Sequence, residues 1–479
     1  MAVVAGLTLV SGQVCAQSPN DPGSGTPLVL TLPAAVALAL RDNLTLRSTY
    51  LDRIVQRLSL EVAEEAFTPK LDIGGRAGFQ RSQEGEDQVV VGTTPTVTVG
   101  LPTGGDLSFV WSADAADGDN SGRRFSSGTG ITLTQPLLRG AGTGIGRAPV
   151  RRARIGERIN ILGLKDTVAA TVTTVISGYR TYQQAIRQVE IARRGLEEAR
   201  KQFEINRQLI ESGRMASLEN VQTEQRIATQ ELSVIAAEGD AAEARIALAT
   251  LLNLDVDTPI EPAEPIEPRQ VTVSLENAYE TAFDNRADWQ SNLLQIELSD
   301  IDLMIARNDR LPQVDVELGA GRRSGVEDNL GSAVRGAVDG RPEWSASVVF
   351  AVPTIGTKSL VLNETAARVA RQKAELNNQL LTSQIRSDVR NAVRDVEMSW
   401  RRLQLAIRAR ELAAQQLAIE KEKLQAGRTS NFQLLTFEQT MIDAANAEVS
   451  ANIAYENALT TLDQTLGTTL ETWQIELRP

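Results

Sequence analysis

The stretch ESGRMASLENVQTEQ, Glu211 to Gln225, recurs as QAGRTSNFQLLTFEQ, Gln425 to Gln439. Gly213-Arg214 falls on Gly427-Arg428 and Glu224-Gln225 on Glu438-Gln439, at an offset of 214 residues that Leu252 and Leu466 still keep. Upstream a second offset holds. Leu32, Ala35, Ala39 and Leu40 of LPAAVALAL match Leu275, Ala278, Ala282 and Phe283 of LENAYETAF at 243, and Pro69 meets Pro312 at the same spacing. The chain is therefore one unit written twice. The first copy carries about 29 extra residues between Pro69 and Gly213. Most lie in the polar, Gly-rich stretch from Ser82 to Arg124, far longer than its counterpart from Arg322 to Glu343, which reads as an enlarged loop with room for an added hairpin.

Each copy opens as helix. Thr31 and Ser274 stand where an N-cap belongs, and alanines and leucines then recur at three- and four-residue spacing up to Pro69 and Pro312. After the proline the period drops to two. In KLDIGGRAGFQ, Leu71, Ile73, Ala77 and Phe79 share one face and Asp72, Arg76 and Gln80 the other, and in the second copy Val314, Val316, Leu318 and Ala320 alternate with Asp315, Glu317, Gly319 and Gly321. Strands returning over Gly130–Pro136 and Trp344–Val352 complete a hairpin in each copy, so four strands per chain are expected. A soluble sheet with one wet face carries the same alternation. Between very long helices the pattern instead suits a membrane barrel, which four strands cannot close alone and which other copies of the chain must complete, because unpaired backbone groups facing lipid cost several kcal/mol each. Trp111 and Trp344 are candidates for its aromatic girdles.

The longest helical segments run over about 147–211 and 216–252, then about 357–425 and 430–466, with no proline in their interiors. At 1.5 Å per residue, some 65 residues of helix extend roughly 100 Å, beyond any compact domain, so they must pack lengthwise. Gly213 and Gly427 are placed as C-terminal breakers that fold each long helix back as a coiled hairpin. Between the copies, four prolines at three-residue spacing from Pro259 to Pro268 make an extended link. The expected organisation is a secretory signal over 1–16, a first repeat over 17–258 with its strands within about 70–136 and long helices over about 147–252, and a linker over 259–270. A second repeat follows over 271–470, with strands within about 313–353 and long helices over about 357–466, and then a tail over 471–479.

Composition excludes much chemistry. The 479 residues contain no histidine, which removes the usual general base, the commonest metal ligand and every Ser-His or Cys-His nucleophile pair. The one cysteine, Cys15, lies within the expected signal, and its acylation would need a small residue before it where Val14 stands. No catalytic set, cofactor site or metal site is expected. A net charge of -12 with no basic patch argues against nucleic acid. After the signal, no apolar run reaches the roughly 20 residues of a membrane-spanning helix, so membrane residence has to come from strands.

The paired openings LTLPAAVALALRDNLTL and VSLENAYETAFDNRADW, the helix-to-strand prolines, Gln135-Pro136-Leu137-Leu138 before GAGTGIG and the two Gly-Arg tips, in their duplicated order, resemble the TolC family of outer-membrane efflux proteins from Leu30 to Gly467. The resemblance implies a mainly helical fold with membrane strands: a homotrimer whose three chains complete one twelve-stranded barrel in the outer membrane lipid, continuous with a periplasmic α-helical barrel. It implies a passive exit duct for efflux or secretion, driven by an inner-membrane pump through a periplasmic adaptor. It also implies that the tips near Gly213, Arg214 and Glu219, and near Gly427, Arg428 and Gln433, form the tunnel entrance and adaptor-docking surface. The alternative is a periplasmic coiled-coil adaptor or a structural envelope protein. The acidic balance of the chain suggests a preference for cations.

Overall fold

The computed structural model describes residues 27–81, 87–118, 122–213, 216–263, 268–352 and 358–476. Arg214, Cys15 and the rest of the expected signal lie outside these residues. The first repeat comprises β1 (Leu28–Leu30), α1 (Leu32–Asp42), α2 (Leu44–Glu64), β2 (Lys70–Arg81), β3 (Asp87–Gly100), β4 (Asp106–Gly118), β5 (Gly122–Pro136), the single turn α3 (Thr143–Gly146), α4 (Ala148–Glu211) and α5 (Leu218–Leu251). The short strand β6 (Ile260–Pro262) leads to the second repeat: α6 (Leu275–Asn285), α7 (Ala287–Asn308), β7 (Gln313–Arg323), α8 (Leu330–Asp339), β8 (Pro342–Ala351), α9 (Lys358–Gln425), α10 (Asn431–Leu466) and α11 (Thr469–Thr472).

The duplication is visible in local chemistry. Thr31 and Ser274 are the N-caps of α1 and α6, though only Thr31 bonds, accepting from the Ala34 amide at 3.3 Å. Each long hairpin helix ends with a residue at positive φ: Gly213 and Asn253 in the first copy, Gly427 and Gly467 in the second. At Gly427 the amide donates to Leu424 O and the Arg428 amide to Lys423 O, both 2.9 Å, a Schellman closure that satisfies two end carbonyls. Asn43, which caps α2, donates to Leu251 O at 2.9 Å, and its repeat counterpart Arg286 reaches Thr465 O, so the joint between the opening helices is tied to the end of each return helix. The two cores also repeat: Ala35, Ala39, Val175, Leu248 and Leu252 in one, Ala278, Ala282, Val389, Leu462 and Leu466 in the other.

Two sequence expectations change here. Part of the proline-rich link is strand, since β6 pairs in parallel with β1, Leu28 opposite Ile260 and Leu30 opposite Pro262. And α4 holds a stretch that by length and composition alone could cross a membrane. Its apolar side is instead packed in the core, where Val168, Val172, Val175 and Ile176 are buried with α1 and α5.

The sheet differs more. Among the described residues six strands form one antiparallel sheet in the order β2-β3-β4-β5-β7-β8, not the expected four. The stretch expected as an enlarged loop supplies β3 and β4, which enter the sheet between the two strands of the first hairpin. Its valines and threonines, VVVGTTPTVTVG over 89–100, suit a pleated surface, and its glycines are accommodated by close approach of neighbouring strands rather than by looping. A Cβ on Gly92 would meet a carboxylate oxygen of Asp114 at 2.0 Å, and that oxygen accepts from Arg76 Nη2 at 2.9 Å, so the missing side chain lets an ion pair from β2 to β4 pass over β3.

The repeats meet along α4 and α7, where Ala148 and Ile155 bury against Leu294 and Ile301. Their repeat counterparts, Leu362 and Val369 on α9 and Leu51 and Leu58 on α2, are exposed; Leu362 is 66% and Leu58 56% accessible. Below this seam, Arg180 of α4 is buried against α10 and donates to Glu456 O at 2.6 Å and Thr460 Oγ1 at 2.7 Å, while its counterpart Arg394 is exposed and paired with adjacent Asp395. Within each repeat the opening helix is tied down by charge. Arg53 of α2 holds Glu157 of α4 through two bonds of 2.7 and 2.8 Å, and the hydrogen bonds from Arg53 keep the Glu157 carboxyl below its ordinary value despite the opposing effect of burial. Arg53→Met is expected to cost about 2 kcal/mol at neutral pH by leaving a largely buried carboxylate unpaired. The cost should shrink as pH falls through the folded pKa of Glu157, read by urea unfolding at pH 7 and pH 4.

Candidate functional site: helix tips and sheet faces

At the far end of the hairpins the chain turns twice. Gly213 (φ 71°) and Gly427 (φ 67°) take the left-handed conformation, open space surrounds both, and backbone rather than packing therefore requires glycine there. The tip residues anticipated from sequence have different surroundings. Glu219 sits in the first turn of α5, where its charge complements the helix N-terminus. Gln433 lies three residues after Ser430, whose hydroxyl accepts from the Gln433 amide at 3.3 Å, so it belongs to the N-terminal cap of α10. Arg428 closes the α9 end through its amide and is exposed.

What joins the two tips is a buried polar cluster that sequence reasoning missed. Asn206 of α4 is fully buried; its amide donates to Thr223 Oγ1 of α5 at 2.8 Å and to Asn431 Oδ1 of α10 at 3.0 Å. Asn431 donates in turn to Thr223 at 3.1 Å, and Gln202 donates to Asn206 Oδ1 at 2.7 Å. The signal was present in the sequence as a run of polar residues on the buried side of α4, but their burial depends on α10, from the other repeat.

Charge surrounds this cluster. Lys421 of α9 donates to Glu198 of α4 at 2.7 Å, and that hydrogen bond holds the Glu198 carboxyl below its ordinary value. Glu420, the repeat counterpart of Asn206, is buried and accepts from Thr429 and from Lys423, which lower its pKa in that order. Glu438 of α10 is pushed up by burial, against the pull of Lys421 and Arg226. A carboxyl raised on folding opposes stability once pH rises past the unfolded value of about 4.3 and on through its folded pKa. Glu438→Gln is therefore expected to raise the unfolding temperature at pH 7.5 and leave it nearly unchanged at about pH 4, measured by circular dichroism.

At the opposite end, the six strands share two faces. The register aligns Leu71, Val97, Phe109, Ile131, Ala320 and Trp344 across all six on one side. Ile73, Phe79, Val89, Val91, Leu318 and Phe350 extend that apolar face, and all six are exposed. The other side carries Asp72, Arg76, Thr96, Ser108, Asp114, Thr132, Glu317 and Ser345 among glycines. An apolar face of this size turned to solvent requires lipid or protein to cover it. Trp344, 82% accessible, stands fully out from it. Trp111 lies on the same face two residues nearer the β7–β8 connection, half-buried, its indole Nε1 donating to Ser127 Oγ at 3.0 Å. Helix α8 covers this neighbourhood, with Ala333 and Ala337 buried and Thr129 Oγ1 donating to Ala337 O at 2.8 Å. Among the described residues, no group of three or more His, Cys, Asp or Glu is arranged to hold a metal ion.

The chain thus combines a sheet that has one apolar and one polar side with paired coiled hairpins. The family model for outer membrane efflux proteins matches residues 35–254. The Campylobacter jejuni CmeC outer membrane channel superposes with a TM-score of 0.71 at 16% identity, over 91% of this chain and 86% of that one. The open-state Neisseria gonorrhoeae MtrE outer membrane channel gives 0.69 at 16%, over 92% and 89%, and the Vibrio cholerae outer membrane protein VceC 0.69 at 15%, over 91% and 96%. No curated protein matches the sequence significantly. Over residues 35–254 the chain is therefore similar to the outer membrane efflux proteins, and over nine-tenths of its length it has the fold of these outer-membrane channels.

Proposed function

We propose that three copies of the chain close one continuous tunnel, the passive exit duct of a tripartite efflux or secretion complex, with a periplasmic adaptor seated on the helical tips and an inner-membrane pump supplying the energy. The observation that carries this is the pair of unmatched lateral faces. Inside one chain, α7 packs on α4 through Leu294, Ile301, Ala148 and Ile155. The counterparts of both sides are exposed on opposite flanks, Leu51 and Leu58 on α2 and Leu362 and Val369 on α9. A neighbouring copy that set its α2 on this α9 would reproduce the internal joint, and repetition of that step closes a ring of alternating repeats. The same rotation brings the open edge of β8 to the open edge of β2 of the next copy and removes both edges.

In this assembly the repeats, 17–258 and 271–470, alternate around the axis with the 259–270 link between them. The tips at Gly213 to Glu219 and Gly427 to Gln433 ring the entrance and meet the adaptor, and Trp111 and Trp344 lie within the membrane-facing belt. Asp72 and Glu317 on the polar side of the strands favour cations in transit. Extraction from outer membranes in mild detergent, followed by light scattering corrected for bound detergent, is expected to give three chains; a water-soluble monomer would overturn the reading. Reversal potentials in a planar bilayer are expected to favour cations, and anion preference would remove that part alone.

A further inference from the structure

We propose that the outer-membrane barrel of this channel has eighteen strands instead of twelve, and that its bore admits hydrophilic solutes, oligosaccharides or polypeptide among them, roughly 20 Å across. The inference rests on the trimeric channel reading above and concerns the width of its outer half.

Three observations place the additional hairpin in the barrel wall. First, β3 pairs with β2 along all of β2, from Lys70 opposite Thr98 to Arg81 opposite Asp87, and β4 pairs with β5 from Asp106 opposite Thr134 to Gly118 opposite Gly122. A hairpin folded away from the wall would instead leave β2 and β5 to pair with each other. Second, the alternation of the older strands continues through it: Val91, Val97 and Phe109 point to the apolar side, Thr94, Thr96 and Ser108 to the polar one. Third, the β3–β4 turn is built into the base of the sheet. The Gly142 amide donates to Thr103 O at 2.9 Å, Thr103 Oγ1 donates to Gln135 Oε1 at 2.8 Å, and Gly104 and Gly146 allow backbone approaches that a Cβ would block at 1.9 and 2.4 Å.

The width follows from strand geometry. With strands about 4.8 Å apart and tilted about 40°, a backbone ring of twelve is roughly 24 Å across and one of eighteen roughly 36 Å. Side chains take about 10 Å of either diameter, which leaves openings of roughly 14 and 26 Å. The polar face is lined by glycine, serine and threonine at many positions, so little of the larger bore is filled from within.

The test uses the full-length trimer in planar bilayers, with neutral polyethylene glycols of graded size added on the side of the β7–β8 connection. Polymers up to about 20 Å in hydrodynamic diameter are expected to enter and lower the conductance, and a smaller cut-off overturns the proposal. Deleting 87–118 should return a trimer with a cut-off near 14 Å. Because that variant need not fold, single cysteines supply an independent reading in liposomes. Thr94→Cys and Thr96→Cys are expected to react with a charged, water-borne maleimide at least tenfold faster than Val91→Cys and Val97→Cys, whereas equal rates would put the hairpin outside the wall. A light-scattering mass other than three chains would overturn the trimer itself; a trimer with a narrow cut-off overturns only the wide barrel.

Discussion

Leu58→Glu is expected to yield a folded chain that no longer assembles, and Val369→Glu is expected to do the same from the other side of the joint. Both residues are exposed in the single chain, so neither substitution creates a buried charge within it. In the ring, each would lie where Ile301 and Ile155 lie inside one chain, at 3% and 5% accessibility. Burying a leucine or valine there contributes about 1.5–3 kcal/mol, and a carboxylate forced into the same place costs more than that gain. The loss recurs at every joint of the closed assembly. Light scattering in detergent should therefore report single chains with undiminished helical circular dichroism, and an intact trimer in either variant would disprove the proposed joint. Ile301→Glu supplies the contrast: it should damage the chain itself, because its surroundings are already complete without a neighbour.

Asn206→Leu should loosen the two tips from each other. The substitution leaves Gln202 and Asn431 with unmet hydrogen-bonding groups in a site shut from water, a cost of about 2–4 kcal/mol. This cluster joins the first hairpin to the start of α10, so the effect is expected to be local: faster amide exchange over 200–213 and 431–440, with the cores around Val175 and Val389 unchanged. If the tips bound the tunnel entrance, resting conductance in a bilayer should rise severalfold in the same variant. Unchanged exchange at the tips would show that the cluster does not hold them.

The helical half of the molecule was nearly all legible. Ala35 and Ala278, Gly213 and Gly427, and Leu252 and Leu466 sit at equivalent places because helix spacing and chain-reversing glycines are local requirements, met by a few residues within a turn or two. The strands were legible in alternation and not in number. Leu71 to Gln80 declares its two faces by itself. The segment from Val89 to Ala116 reads as a polar loop until Gly92 is seen making room for the Arg76–Asp114 pair and Gly104 for the backbone at Gly140. Among the anticipated tip residues, the two glycines and Arg428 do the work of ending helices and Gln433 that of starting one. Asn206, Thr223 and Asn431 escaped notice because polar residues in a long helix are ordinarily solvated.

The sequence by itself determined the duplication, the long hairpins, the two-faced strands and the absence of histidine chemistry, since each depends on residue type and on spacing over a few neighbours. Only the tertiary structure decided that β3 and β4 enter the sheet, that Asn206 is buried against the other repeat, and that α7 is satisfied while α2 is not. Those outcomes depend on contacts between segments far apart in the chain. Leu58 and Ile301 are equivalent in the repeat and alike in chemistry; one is exposed and the other buried because a single chain carries a partner for only one of them.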